Sequence, residues 1–338
     1  MIFKEALSFD DVMLVPSYST LESRSNVDVS VNANIKNKSF TWNHPIIPAN
    51  MLTVSGRDLV IENCRSGGLS ILNRFISLED QLSISEDMIN YHEAKDRFGI
   101  SVGIKQEDKD NISKFFDLGV RIFCIDIAHG DSKMCVDMTD FIKNKYPQSL
   151  VIAGNVATKA GAVKLWSSGA DIVKIGIGGG SLCTTRIETG NGVPQLTAIM
   201  DIADAKTNFT NKYFISDGGL KSSGDICKAL CFADMVMVGN LFAGCEETPG
   251  NQINIDGRTY KEYAGSSTHK TNHIEGVVAM VPYKGKFNNI LTKLLEGLKS
   301  GLSYQGVNNL TELKQYPEFV KITSAGLRES HPHDVWVK

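Results

Sequence analysis

The chain has 338 residues, 42% hydrophobic and 22% charged, with a formal net charge of −3 and a pI near 6.2. That length allows two ordinary domains or one large α/β barrel, and the mild acidity provides no basic field for nucleic acid or an anionic membrane. No apolar run approaches transmembrane length, Met1–Glu5 lacks a signal-peptide pattern, and the seven cysteines (64, 124, 135, 183, 227, 231 and 245) form no CxxC pair. Zinc and a disulfide framework are therefore not expected, and a reducing cytoplasmic location is.

Short apolar or β-branched runs recur along the chain with amphipathic stretches between them. The first are Pro45-Ile-Ile-Pro48, Gly68-Leu-Ser-Ile-Leu72 and Gly99-Ile-Ser-Val-Gly103. Arg121-Ile-Phe-Cys-Ile-Asp126, Leu150-Val-Ile-Ala-Gly-Asn155 and Asp171-Ile-Val-Lys-Ile175 come next, then Tyr213-Phe-Ile-Ser216 and Asp234-Met-Val-Met-Val-Gly239. Plausible helices follow the strands, among them Asp131–Lys145, Lys159–Ser168 and Gly224–Cys231. Near-continuous apolar strands alternating with helices predict a parallel sheet buried on both faces, and eight such units predict a closed barrel.

The strand ends are polar: Asn50, Asn73-Arg74, Asp126, Asn155, a glycine-rich loop, Asp217-Gly-Gly219 and Gly239-Asn240. In a barrel they share the C-terminal face, where active sites are built, and the loops after strands seven and eight suit a phosphate. Two connections break the rhythm. One follows strand six. The other, about residues 245–284, is a Gly-, Ser-, Thr- and His-rich excursion before an amphipathic helix over Phe287–Lys299, and reads as a structureless lid or binding loop.

The loop after strand six, Gly176-Ile-Gly-Gly-Gly-Ser-Leu-Cys-Thr-Thr-Arg186, concentrates the chemistry. Its glycines let backbone amides close on an anion, and Cys183 would meet a phosphate-bearing substrate there, with two threonines and an arginine within reach of a thiolate. Gly176, Gly178 and Ser181 only loosely echo a dinucleotide fingerprint. A cysteine taken at random is more often a small buried hydrophobe. The surrounding loop favours a functional reading for this one.

This segment, with Thr189-Gly-Asn-Gly-Val-Pro-Gln195 after it, closely resembles the signature of the IMP dehydrogenase and GMP reductase family. The likeness extends to Phe9-Asp-Asp-Val12, Ala49-Asn-Met51, Asp126-Ile-Ala-His-Gly130, Ala153-Gly-Asn-Val156, Ser216-Asp-Gly-Gly219 and Glu246-Glu-Thr-Pro-Gly250. The resemblance implies a single (β/α)8 TIM barrel over residues 1–338, with a short active-site flap after strand eight and a C-terminal tail over about 318–338. Strand two reaches strand three too soon for a CBS module. It also implies a purine nucleoside monophosphate as substrate, a nicotinamide cofactor and a homotetramer.

Between the two branches, the flap is informative. Dehydrogenases of the family hydrolyse a covalent intermediate with help from an Arg-Tyr pair. The segment between Tyr263 and Glu275 contains no arginine. A reductase loses only ammonia, through a threonine–glutamate relay to which Thr185 and Glu275 correspond. The expected activity is therefore GMP reductase with NADPH. The alternatives are IMP dehydrogenase with NAD, or a nucleotide-binding relative without turnover.

By the same resemblance Cys183, Thr185 and Glu275 are catalytic. Asp217 would hold the ribose, and Ser181, Gly218, Gly219, Gly239, Asn240 and Tyr263 the phosphate side, with Met51, Gly265 and Ser266 completing the substrate site. Arg74, Asp126, Ala128 and Asn155 belong to the cofactor side. Ala325-Gly-Leu-Arg-Glu-Ser-His-Pro-His-Asp-Val335 looks like a dehydrogenase tail. It implies a potassium ion held by Gly178, Gly180 and Cys183, with Glu329, Ser330 and His331 of a neighbouring subunit. Gly179 and Leu52 depart from the family pattern, standing where proline and aspartate are common.

Overall fold

A computed structural model describes residues 3–35, 38–265, 277–333 and 335. Eight parallel strands form the centre: β1 (Ile46–Pro48), β2 (Ser70–Leu72), β3 (Phe98–Val102), β4 (Ile122–Asp126), β5 (Leu150–Val156), β6 (Ile172–Ile175), β7 (Tyr213–Asp217) and β8 (Met235–Val238). All eight expected strands are present, each within a residue or two of its expected limits. Ladders run from β2 through β7 to β8, and β8 pairs with β1. At the remaining seam, Ser55 donates its hydroxyl to the Ile71 carbonyl (2.6 Å) and accepts at its own carbonyl from the Asn73 side chain (2.8 Å). The sheet is thereby drawn into a TIM barrel that is nearly closed.

The principal helices are α1 (Arg57–Arg65), α2 (Leu78–Asn90), α3 (Gln106–Leu118), α4 (Lys133–Lys145), α5 (Lys159–Ser167), α6 (Gln195–Lys206), α7 (Ser223–Leu230) and α8 (Phe287–Tyr304). Local chemistry sets their starts. Ser132, Thr158 and Ser222 accept backbone N–H groups at the first turns of α4, α5 and α7, satisfying donors that a helix leaves unpaired. The final helix starts at Phe287 as expected but runs on to Tyr304, because Leu291, Leu294, Leu298 and Leu302 keep one apolar stripe buried. Ile100, Phe123, Ile152, Val173, Phe214 and Val236 are fully buried, as strands covered on both faces require.

Two features add to the sequence-based picture. A hairpin, Val31–Ile35 with Lys38–Trp42, covers the N-terminal mouth: Trp42 is fully buried and donates to the Asp96 carbonyl, and the Tyr213 hydroxyl accepts the Asn34 N–H. The excursion after β8 is not structureless. It carries a three-stranded antiparallel sheet, Gln252–Ile255, Arg258–Ala264 and Val278–Pro282. Its first turn is Asp256-Gly257, both at positive φ (49° and 76°), the two-residue geometry that matches strand twist. Lys261 anchors the sheet, its buried ammonium donating to the carbonyls of Cys245, Glu246 and Thr248.

The expected C-terminal tail is also partly ordered into elements. Phe319–Lys321 pairs antiparallel with Val12–Leu14, and Ser324–Glu329 is a short helix. Among the described residues, no helix is long and apolar enough to cross a membrane.

Candidate active site

The strand ends open onto a cavity of about 520 Å³. Met51 and Leu52 line it after β1, Arg74 after β2, Asp126 and Ala128 after β4, and Asn155 within the end of β5. Gly178, Cys183 and Thr185 enter from the loop after β6, Asp217 from β7 and Gly265 from the flap sheet. Sequence reasoning names all of these but Leu52 as site residues, and Leu52 is one of the two departures from the family pattern. They converge because successive parallel strands deliver their C-terminal residues to one face.

Cys183 stands apart from the other cysteines. The other six are buried, and loss of hydration pushes the thiols of Cys64, Cys124, Cys135, Cys227 and Cys245 up to about 12. Burial likewise raises Cys231. These six are packing residues, held in the thiol form that is a poor nucleophile. Cys183 is only half-buried, and its thiol donates to Oγ1 of Thr185 at 3.1 Å. Its amide donates to the Gly180 carbonyl, closing the turn that presents the sulfur.

Arg186 is held within the loop. Its side chain lies across Gly178 and Gly192 and donates to the Val193 carbonyl (2.7 Å). A β-carbon at Gly178, whose φ is +80°, would sit 2.5 Å from Arg186 Cγ, so this position requires glycine. The arginine therefore staples the two ends of the cysteine loop. Gly176 meets a second constraint, since a β-carbon there would lie 1.9 Å from the Asp217 carbonyl.

A group missed at the sequence level occupies the floor. Lys174, in the middle of β6, is 2% exposed. Its ammonium donates to Asp126 Oδ1 and Asp217 Oδ2, each at 3.1 Å, and to Asn50 Oδ1 at 3.3 Å. Burial alone would pull its pKa down, but Asp217 and Asp126 outweigh that and raise it, so it stays charged. Asn155 joins the cluster by donating to Asp217 Oδ2 (2.8 Å) and to the Gly176 carbonyl (2.9 Å). Expected on the cofactor side, Asn155 thus contacts the carboxylate expected to hold the ribose. A lysine inside an otherwise apolar strand was the available signal, because a buried charge demands partners.

Among the residues expected on the cofactor side, the Arg74 guanidinium lies 4.4 Å from the Phe75 ring centre, and its Nε is 4.0 Å from Asp126. That Nε is buried and has no hydrogen-bond partner. On the other side, Gly218 and Gly219 pack against Gly179 and Gly180, and the Tyr263 hydroxyl closes over Gly239, beside Met51. Asn240 opens a short helix directly after Gly239, and Ser181 lies exposed on the cysteine loop. Glu275 and Ser266 lie outside the described residues. Among the described residues, no hydrogen bond joins Glu329, Ser330 or His331 to the cysteine loop of the same chain, and no cluster of three or more His, Cys, Asp or Glu could hold a metal ion.

Comparison with known proteins agrees with this geometry. A family model described as the IMP dehydrogenase / GMP reductase domain matches residues 6–333. The chain is 36% identical to the inosine-5'-monophosphate dehydrogenase of Borreliella burgdorferi, over 99% of this chain and 98% of that one. It is 37% identical to the GMP reductase of Lactobacillus delbrueckii subsp. bulgaricus, covering 92% and 93%. In three dimensions it is similar to a variant GMP reductase from Trypanosoma brucei in complex with guanosine 5'-monophosphate, with a TM-score of 0.90, 25% identity and 99% of each chain covered. The chain therefore belongs to the IMP dehydrogenase / GMP reductase family, whose members among these relatives are purine nucleotide oxidoreductases.

Proposed function

We propose that this protein is a GMP reductase that converts GMP to IMP and ammonia with NADPH, and that residues 1–338 act as one catalytic barrel. Cys183 is the only half-buried cysteine, and it stands in the cavity beside Thr185 and the Asp126–Lys174–Asp217 cluster. That placement carries the reading of covalent chemistry at a bound purine. The Asp217 carboxylate suits ribose hydroxyls, which donate to it. Gly218, Gly219, Gly239, Asn240, Tyr263 and Ser181 border the position for the phosphate, and Met51, Gly265 and Ser266 complete the substrate side.

The cavity also suits a nicotinamide cofactor. Leu52 and Ala128 offer apolar contact, the Asp126 carboxylate an acceptor, and the partnerless Arg74 Nε a donor. Asn155 stands between the two ligands. When bound, a reduced nicotinamide supplies a hydride to purine C2.

The steps of the chain's own residues follow. The Cys183 thiolate adds to C2, with Thr185 positioned to take part in proton movement. The exocyclic amino group is protonated and leaves as ammonia, with Glu275 as the proton source through Thr185. After C2 is reduced, the carbon–sulfur bond breaks, the thiolate leaves and IMP remains. The carbonyls of Gly178, Gly180 and Cys183 would hold a potassium ion beside this loop, completed by Glu329, Ser330 and His331 of a neighbouring subunit in a homotetramer. The Gly180 carbonyl already accepts the Cys183 amide, which leaves its second lone pair for the ion.

The flap sequence supports reduction over hydrolysis. Between Tyr263 and Glu275 its possible bases are His269, Lys270 and His273, with no arginine to activate water. A second reading, IMP dehydrogenase with NAD, is favoured by the Ala325–Val335 tail and by the Borreliella relative. Absorbance assays in both directions separate them. GMP with NADPH should turn over steadily, whereas IMP with NAD should release a burst of about one NADH per active site and then slow. Steady IMP oxidation at about ten per second with no reaction of GMP would overturn the reductase reading.

A further inference from the structure

We propose that Lys174 is a positioning residue that ties Asp126 and Asp217 into one rigid unit, so that ribose and nicotinamide are registered against each other above Cys183. The inference rests on the reading above that Asp217 takes the ribose and Asp126 the cofactor side.

The geometry supports it in three ways. First, Lys174 is almost fully buried within β6, so the barrel wall fixes its position. Second, its ammonium bridges carboxylates from β4 and β7, strands that are not neighbours in the sheet. The backbone joins them only indirectly, through β5 and β6, and the lysine adds a direct side-chain link between the two carboxylates. Third, Asn50 at the end of β1 accepts from the same ammonium and donates to Ser101 Oγ (2.7 Å), so the bridge is anchored on the far wall as well. Lys174 lines the cavity floor, but its three ammonium hydrogens are engaged by Asp126, Asp217 and Asn50, so its effect on a ligand passes through the two carboxylates.

Loss of the lysine should therefore weaken both ligands together. The test measures equilibrium binding of GMP, 2'-deoxy-GMP and NADPH to the wild-type protein, K174M, K174R, D217A and D126A. D217A should weaken GMP alone and D126A NADPH alone. K174M should weaken both by roughly tenfold or more, an amount in keeping with one charge-assisted hydrogen bond. It should also erase the preference for GMP over 2'-deoxy-GMP, and K174R should recover most of both losses.

Should K174M fail to fold, the same measurements on K174M/D126N settle the matter, because that pair restores the net charge of the trio. Lost ribose discrimination in the double variant supports the proposal, and retained discrimination overturns it. If D217A weakens GMP but K174M binds both ligands like wild type, the positioning role falls while the ribose assignment stands. If the wild type does not distinguish the two sugars, or D217A binds GMP normally, the ribose assignment falls and the proposal with it.

Discussion

The sulfur of Cys183 stands 3.1 Å from the hydroxyl of Thr185, which opens the short helix Thr185–Thr189. The helix fixes the hydroxyl, and the Gly180–Cys183 turn fixes the sulfur. The proposed nucleophile and proton-handling group thus share one loop, and Arg186 staples that loop to Val193.

Replacing the sulfur should abolish turnover without abolishing binding. We expect Cys183→Ala to leave nucleotide affinity within roughly tenfold, about 1.4 kcal/mol, because most of the proposed phosphate and ribose contacts come from other loops. Calorimetric titration with GMP beside the absorbance assay checks this. Turnover above about a thousandth of the wild-type rate would refute covalent catalysis, since removal of a nucleophile costs more than that.

Gly176→Ala should be a packing lesion at the hinge of the site. The added methyl would fall 1.9 Å from the Asp217 carbonyl, so β7 or the cysteine loop must shift. A loss of roughly 3 kcal/mol in stability is expected, with a matching loss of GMP binding through the displaced Asp217. Urea unfolding measures the first effect. A variant of wild-type stability would mean that the two backbones separate at little cost.

His44, just before β1, should shape the acid limb of the stability profile. Burial is the main cause that lowers its pKa to about 4, where the ring accepts the Ile46 amide at Nδ1 and contacts the Ser66 hydroxyl at Nε2. The unfolded chain binds this proton more tightly, so the contribution is fully present above the ordinary histidine pKa of about 6.5 and is lost as pH falls from there towards 4. The size is about 3 kcal/mol. His44→Gln should flatten that part of the curve in denaturant titrations run at several pH values; an unchanged slope would place the acid sensitivity elsewhere.

If residues 329–331 complete a neighbour's ion site, activity should rise with potassium over sodium. Deleting residues 329–338 should remove the difference. A truncated protein with an unaltered potassium response would assign the tail a purely structural role, which its strand Phe319–Lys321 already has against Val12–Leu14.

The barrel was legible from the residues alone, because strands buried on both faces must be continuously apolar and helices between them must be amphipathic. The cysteine loop was equally legible, since few structural needs call for glycines, a thiol, threonines and an arginine together. The flap sheet was missed, although Asp256-Gly257 is a hairpin signal, because serine, glycine and threonine elsewhere in the excursion dilute its alternation. What tertiary structure alone decided is which of these residues meet. Lys174 shares no local pattern with Asp126 or Asp217, lying 48 and 43 residues from them. Only closure of the barrel brings the three together, and only burial gives their charges the strength to hold one another in place.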